Sequence, residues 1–211
     1  MARLPARPFL YAIVDLAQLA GRSVDEVVRA LIGGGAGLLQ VRGKQAGDRD
    51  LLEAVHRAGA AARGAGVPVL VNDRPDVALL AGADGVHVGQ DDLPAAECRR
   101  LLGPGAIVGA STHTLDQVGA LADGPLDYLA VGPVFATATK DNPDPVVGTE
   151  MVAAARARTR LPLVGIGGIT AGNAAAVVAA GAAGVAAIGA LLGGHDVAAR
   201  ARALRRALDA A

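Results

Sequence analysis

Short apolar runs rich in valine, isoleucine and leucine recur along the chain at near-regular spacing. They are Leu10–Asp15, Gly37–Arg42, Pro68–Asp73, Gly85–Gln90, Ala106–Ser111, Tyr128–Val134, Pro162–Gly167 and Gly184–Ala190. The segments between them carry apolar residues at helical spacing, as in Val24, Val27, Val28 and Leu31, or Leu51, Leu52 and Val55. A strand followed by a helix, repeated throughout, predicts a parallel sheet with crossover helices. Eight such units fill 211 residues at about 26 residues each, slightly under the roughly 250 usual for a (β/α)8 barrel. The predicted fold is α/β: one (β/α)8 TIM barrel over residues 1–211, with residues 1–9 as an N-terminal extension and no second domain.

A repeated glycine pattern supports the barrel. Gly34-Gly35-Ala36-Gly37-Leu38, Gly82-Ala83-Asp84-Gly85-Val86 and Gly181-Ala182-Ala183-Gly184-Val185 each fall where a helix should end and strands two, four and eight begin. The first glycine is expected to end its helix in the left-handed region, and the later one to let the chain turn tightly into the sheet.

Composition narrows the picture. The chain is 52% hydrophobic and only 2% aromatic, so its core is built from small branched side chains, as parallel strands covered on both faces require. Formal net charge is zero and no basic stripe is visible, which excludes a nucleic-acid footprint. The single cysteine, Cys98, excludes an intramolecular disulfide, fits a reducing compartment and reads as a helix-packing residue. The stretch Val177–Leu192 is broken by Gly181, Gly184 and Gly189 and is too short to span a bilayer. Arg3 and Arg7 near the N-terminus are followed by no apolar segment of the kind a signal peptide needs. The expectation is a cytoplasmic protein with small-molecule substrates and no membrane or nucleic-acid partner; a homo-oligomer is compatible with this.

In a barrel the chemistry gathers at the C-terminal ends of the strands, so the polar residues there are the candidates. Lys44 and Lys140 are the only lysines, and every other permanently cationic side chain is arginine. Both lie at predicted strand ends, where a compact ammonium reaches differently from a planar guanidinium. Arg42 is expected to point away from Lys44 while the strand lasts. Asp73 and Asp92 are candidate ligands for a hard cation such as Mg²⁺, which takes one or two carboxylates with waters and phosphate oxygens. Helix capping is the competing reading, because Asp73 precedes Arg74-Pro75 and Asp92 precedes Leu93-Pro94. Gly168 and the Ile188-Gly189 pair predict a backbone phosphate cradle. Thr137, Thr139, Ser111 and Asn72 add neutral hydrogen-bonding groups, although loop residues of this kind more often serve turns. His87 and His113 read as structural, with no His/Cys cluster pointing to zinc. Asp15 and Gln90 read as supports for the residues around them.

Taken together, Gln40-Val41-Arg42-Gly43-Lys44, Asn72-Asp73-Arg74, Gly82–Asp92, Gly132–Lys140 with its Thr-x-Thr-Lys, and Gly165–Ile169 resemble the thiamine phosphate synthase family in order and spacing. The resemblance covers Leu10 to Leu192 and implies a (β/α)8 barrel. It implies that Gln40, Val41, Arg42, Gly43, Lys44, Asn72, Ser111 and Lys140 bind hydroxymethylpyrimidine diphosphate. Thr137, Ala138, Thr139, Gly168, Ile188 and Gly189 would hold a thiazole phosphate, carboxylated or not, and Asp73 and Asp92 would bind Mg²⁺. Lys44, Lys140 and Ser111 would carry the catalysis, by a dissociative path in which the thiazole nitrogen captures a pyrimidine-methyl cation.

Three positions depart from the family pattern. Gly43 stands where an acidic residue is frequent, Ala136 replaces a common proline, and Gly189 replaces a common serine. The rival readings are a sister barrel that tautomerises the thiazole carboxylate, a catalytically idle sensor of thiamine phosphates, and a phosphosugar isomerase or epimerase. Retention of Asn72-Asp73, Asp92 and Thr-x-Thr-Lys favours the synthase, since a tautomerase handles no diphosphate.

Overall fold

The eight apolar runs become eight parallel strands that hydrogen-bond in sequence order and close on themselves. The computed structural model describes residues 3–137 and 145–211. Its strands are β1 (Phe9–Asp15), β2 (Ala36–Arg42), β3 (Val69–Asn72), β4 (Gly85–Val88), β5 (Ile107–Thr112), β6 (Tyr128–Val131), β7 (Leu163–Ile166) and β8 (Gly184–Ala187). The helices are α1 (Val24–Gly33), α2 (Asp48–Ala62), α3 (Pro75–Ala81), α4 (Ala95–Leu102), α5 (Leu115–Leu121), α6 (Gly148–Arg158), α7 (Ala174–Ala179), α8 (Gly189–Leu192) and α9 (Val197–Asp209). Closure is made by β1, which pairs with β2 on one side and with β8 on the other, Phe9 facing Gly184.

The alternation of a strand divides the core in two. Outward residues such as Val14, Val41, Val71, Val108 and Leu129 pack with the helices, while Phe9, Tyr11, Leu38, Leu70, Ile107, Tyr128 and Val164 fill the interior. Several predicted strands overrun. The expected strand to Val134 stops at Val131, before Gly132-Pro133, where proline offers no N–H to a ladder. The expected strand to Ala190 stops at Ala187, because Gly189 already opens α8.

The glycine pattern resolves into two jobs. Gly82 ends α3 in the left-handed region with φ +62°. In the first repeat that role falls to Gly35 (φ +94°) and not to Gly34, which stays right-handed but would bring a Cβ within 2.3 Å of Ala201. The later glycine is a matter of space: a Cβ on Gly85 would lie 1.8 Å from the Ile107 carbonyl oxygen on the neighbouring strand. Helix starts carry their own signals. Ser23 and Glu26 form a reciprocal capping box on α1, and Thr114 and Gln117 another on α5. Among the described residues no helix is long and apolar enough to cross a membrane.

The two kinds of glycine predict opposite outcomes. Gly85→Ala must displace backbone and is expected to cost about 2–4 kcal/mol, the range of severe core substitutions. Gly59→Ala, inside α2 with nothing within 4 Å of the new Cβ, is expected to gain about 0.5–1 kcal/mol. Urea unfolding of both variants against the parent checks the pair.

Candidate functional site

At the C-terminal ends of the strands the barrel opens into a cavity of about 450 Å³. Period-two alternation decides who lines it. From β2, Leu38 fills the interior, and Gln40 and Arg42, two and four residues on, face the cavity. The end of β3 contributes Asn72, β4 His87 and β5 Ser111, with His113 just beyond. The opposite wall is backbone-rich, made by Gly167–Thr170 after β7 and Ile188–Ala190 after β8. There Gly168 has φ +65° and passes so close to Ala136 that a Cβ would stand 2.4 Å from its carbonyl oxygen. Asn173 Nδ2 donates to the Gly168 carbonyl at 2.9 Å and fixes this turn. Across the gap, Gly189 and Ala190 open α8, where backbone amides lack intrahelical acceptors.

The floor is polar, buried and connected. Gln40 Nε2 donates to the Tyr11 hydroxyl, and the Tyr128 hydroxyl donates to Tyr11 at 3.0 Å. His87 joins Tyr128 through Nδ1 at 2.8 Å and Ser111 through Nε2 at 2.9 Å. The two tyrosine rings meet edge to face at 5.9 Å, and the His87 ring stacks on Tyr128 at 5.5 Å. Gly109 makes this possible, since a Cβ there would lie 2.1 Å from the Tyr128 ring. Burial pushes both phenols well above their ordinary pKa, so both keep their protons.

Charge collects on the β1–β4 side. Asp15, buried at the end of β1, pairs with Arg42. Lys44 Nζ lies 2.5 Å from Asp73 Oδ2, which also accepts from Asn72 Nδ2 at 2.6 Å. Asp73 takes a left-handed backbone with φ +60°, an uncommon state for a residue other than glycine. Asp92 accepts from the Gly89 amide at 2.7 Å. Its carboxyl is raised above its ordinary value, first by burial and then by hydrogen bonding and repulsion from the neighbouring Asp73. Capping does not account for either: α3 begins from Arg74 and α4 from Pro94, both without a side-chain cap. Two adjoining carboxylates suit a hard cation that brings its own waters. Among the described residues no larger group of His, Cys, Asp or Glu is arranged to hold a metal.

Comparison with known proteins gives this arrangement its context. Residues 10–191 match the sequence model of the family described as Thiamine monophosphate synthase. The chain belongs to that family. It is 44% identical over 202 residues to the thiamine-phosphate synthase of Moorella thermoacetica, covering 96% of each chain. It is 46% identical over 203 residues to that of Methanoculleus marisnigri, again with 96% of each covered. Among solved structures, a thiamine phosphate pyrophosphorylase from Pyrococcus furiosus superposes with a TM-score of 0.86 at 33% identity over 96% of each chain.

Against the thiamine monophosphate synthase pattern, the cavity brings together Gln40, Arg42, Asn72, Ser111, Thr137, Gly168, Ile188 and Gly189. Lys44 and Asp73 stand beside it, joined to it through Asn72, and Asp92 neighbours Asp73. Val41 does not present its side chain to the cavity: it is fully buried in the outer layer with the helices. Arg42 lies on the inward face with Gln40, while Lys44, beyond the end of β2, does not line the cavity. Ala138, Thr139 and Lys140 lie outside the described residues. At Gly43 a Cβ would sit 3.0 Å from Leu16 and Ala46, so the position is packed by apolar neighbours. Sequence reasoning overlooked Tyr11 and Tyr128, although both stand at inward parity, and gave His87 a purely structural role.

The Asp73–Asp92 contact predicts a pH dependence. An acid whose native pKa is raised is favoured in the fold only while protonated, and that contribution disappears as pH rises through the native value. In protein freed of divalent cations, Asp92→Asn is therefore expected to raise the melting temperature near pH 7. The gain should vanish in acid, where the parent Asp92 is protonated as well. A lower melting temperature at neutral pH would contradict the repulsion.

Proposed function

We propose that this chain makes thiamine phosphate: it joins hydroxymethylpyrimidine diphosphate to a thiazole phosphate and releases pyrophosphate. Family membership supports the reaction. The observation that carries the reading is the division of one cavity into a cationic side, a buried aromatic floor and a backbone-amide wall. A diphosphate, two stacked heteroaromatic rings and a monophosphate need those three environments in that arrangement.

In this reading Gln40, Arg42, Lys44, Asn72, Ser111 and Lys140 receive the pyrimidine diphosphate, with Val41 and Gly43 contributing backbone. Thr137, Ala138, Thr139, Gly168, Ile188 and Gly189 receive the thiazole phosphate. The bond from the pyrimidine methylene to the diphosphate oxygen breaks, the electron pair leaving with pyrophosphate. The thiazole nitrogen then closes a C–N bond to that carbon. Lys44 and Lys140 meet the charge that grows on the leaving group, an interaction stronger in the transition state than before it. Asp73 and Asp92 would hold Mg²⁺, which when bound supplies further positive charge to the diphosphate oxygens. The buried floor excludes water from the reacting carbon, and the cavity walls keep the two rings in line. No protein nucleophile is required. Absence of Gly189's family serine leaves the backbone amide for the phosphate, so a modest loss of binding is expected there. The enzyme is read as cytoplasmic, with small-molecule partners.

The test is to incubate the protein with both substrates and Mg²⁺ and follow thiamine phosphate by fluorescence after oxidation. Product is expected, and is expected to disappear with EDTA; product without any divalent cation would retire the roles given to Asp73 and Asp92. Lys44→Ala and Lys140→Ala are each expected to lower kcat by about 10²–10³, as the loss of one charge-stabilising donor does. Their melting temperatures should change little. A large fall in melting temperature at either position would make that lysine structural.

A further inference from the structure

Asp15 ends β1 with a carboxylate that is 2% exposed, a costly place for a charge unless it is paired and hydrogen-bonded. Both of its oxygens are engaged. Oδ1 accepts from the Ala17 amide at 3.1 Å and closes the turn Leu16–Gln18, while Oδ2 accepts from Arg42 Nη1. The pair is set by the sheet itself, since Asp15 and Arg42 are register partners on β1 and β2. Arg42 is also the one arginine or lysine among the described residues that line the cavity. A free arginine side chain samples many rotamers, whereas one N–H fixed by a buried carboxylate leaves the other donors of the planar fork in a defined place.

We infer that Asp15 is a positioning residue: it aims the Arg42 guanidinium at the diphosphate end of the substrate. The identity of the ligand rests on the thiamine phosphate reading, while the geometry of the pair does not. Two effects of Asp15 oppose each other. Its negative charge repels a nearby diphosphate, and its grip on Arg42 presents a preorganised cation to the same group. Because both oxygens of Asp15 are already occupied and the carboxylate is buried behind Arg42, the aiming effect dominates.

The sign is measurable. Inorganic pyrophosphate is titrated calorimetrically, in buffer containing Mg²⁺, into the unaltered protein, Asp15→Asn, Arg42→Gln and the double variant. Asparagine keeps the size of the side chain and an oxygen for Ala17, but turns an amide N–H toward the guanidinium. Asp15→Asn is expected to weaken pyrophosphate binding about tenfold, the scale of one charge-assisted contact. Arg42→Gln should weaken it at least as much, and the double variant no further, since nothing is left to aim. Unchanged or tighter binding in Asp15→Asn overturns the inference, as do losses that multiply in the double variant. Asp15→Glu, which keeps the charge but moves it by a methylene, should also weaken binding. If Asp15→Asn does not fold, unchanged affinity in Asp15→Glu overturns the inference instead. Coupled pyrophosphate binding in a protein that forms no thiamine phosphate would leave Asp15 in its role and remove the proposed function. Thiamine phosphate formation with pyrophosphate affinity indifferent to Asp15 would do the reverse.

Discussion

Hydrogen bonding of β8 back to β1 is the constraint on which the site depends. Once the sheet is closed, each strand can offer only every second residue to the interior, and the number of interior places is small. Phe9, Leu38, Ile107 and Val164 occupy the deeper ones, leaving the next positions toward the strand ends for polar side chains. That is why Gln40, Asn72, His87 and Ser111, separated widely in sequence, share one cavity. Closure also demands tight approaches between neighbouring strands. Gly85 and Gly132, whose Cβ atoms would fall 1.8 and 2.2 Å from carbonyl oxygens of the next strand, meet that demand.

Within this frame the chain separates its electrostatics by side. A protein with no net charge and only two tyrosines places both phenols in a buried floor. It then gathers Asp15, Arg42, Lys44, Asp73 and Asp92 along the first four strands. The facing wall relies on glycine and main chain. Such a division lets one small cavity treat a diphosphate and a monophosphate differently, because side-chain cations and backbone amides neutralise anions to different degrees. Lys44 stands outside the cavity lining, its ammonium held by Asp73.

Much of this was legible from the residues, for physical reasons that differ case by case. Strand and helix alternation exposed the barrel because burial on both faces leaves long apolar runs. The strand-end rule located Asn72, Ser111 and Gly168 because parallel closure puts all C-terminal ends at one mouth. Strand lengths were overread at Val134 and Ala190, where apolar residues continue past the last ladder bond. The inward face of Arg42 follows from a period of two from Gln40, a step that the comparison with Lys44 alone did not supply. Tyr11 and Tyr128 escaped notice because a buried aromatic in an apolar run looks like core until its hydroxyl is seen to have partners. The choice between capping and metal binding for Asp73 and Asp92 could not be made from spacing, since both uses place an aspartate shortly before a proline. In the structure neither aspartate caps a helix, since α3 and α4 start without a side-chain cap, and binding of Mg²⁺ there is our proposal.

The central claim is that departing diphosphate charge is met on one side of the cavity, by Arg42 and Lys44 together with a divalent cation at Asp73 and Asp92. A crystal structure with thiamine phosphate, pyrophosphate and Mn²⁺ in place of Mg²⁺ tests it most directly. The account predicts an anomalous manganese peak shared by Asp73 and Asp92, with pyrophosphate between it and Arg42 and the thiamine phosphate group against Gly168 and Gly189. Pyrophosphate lodged on the glycine wall, or manganese bound away from both aspartates, would contradict it.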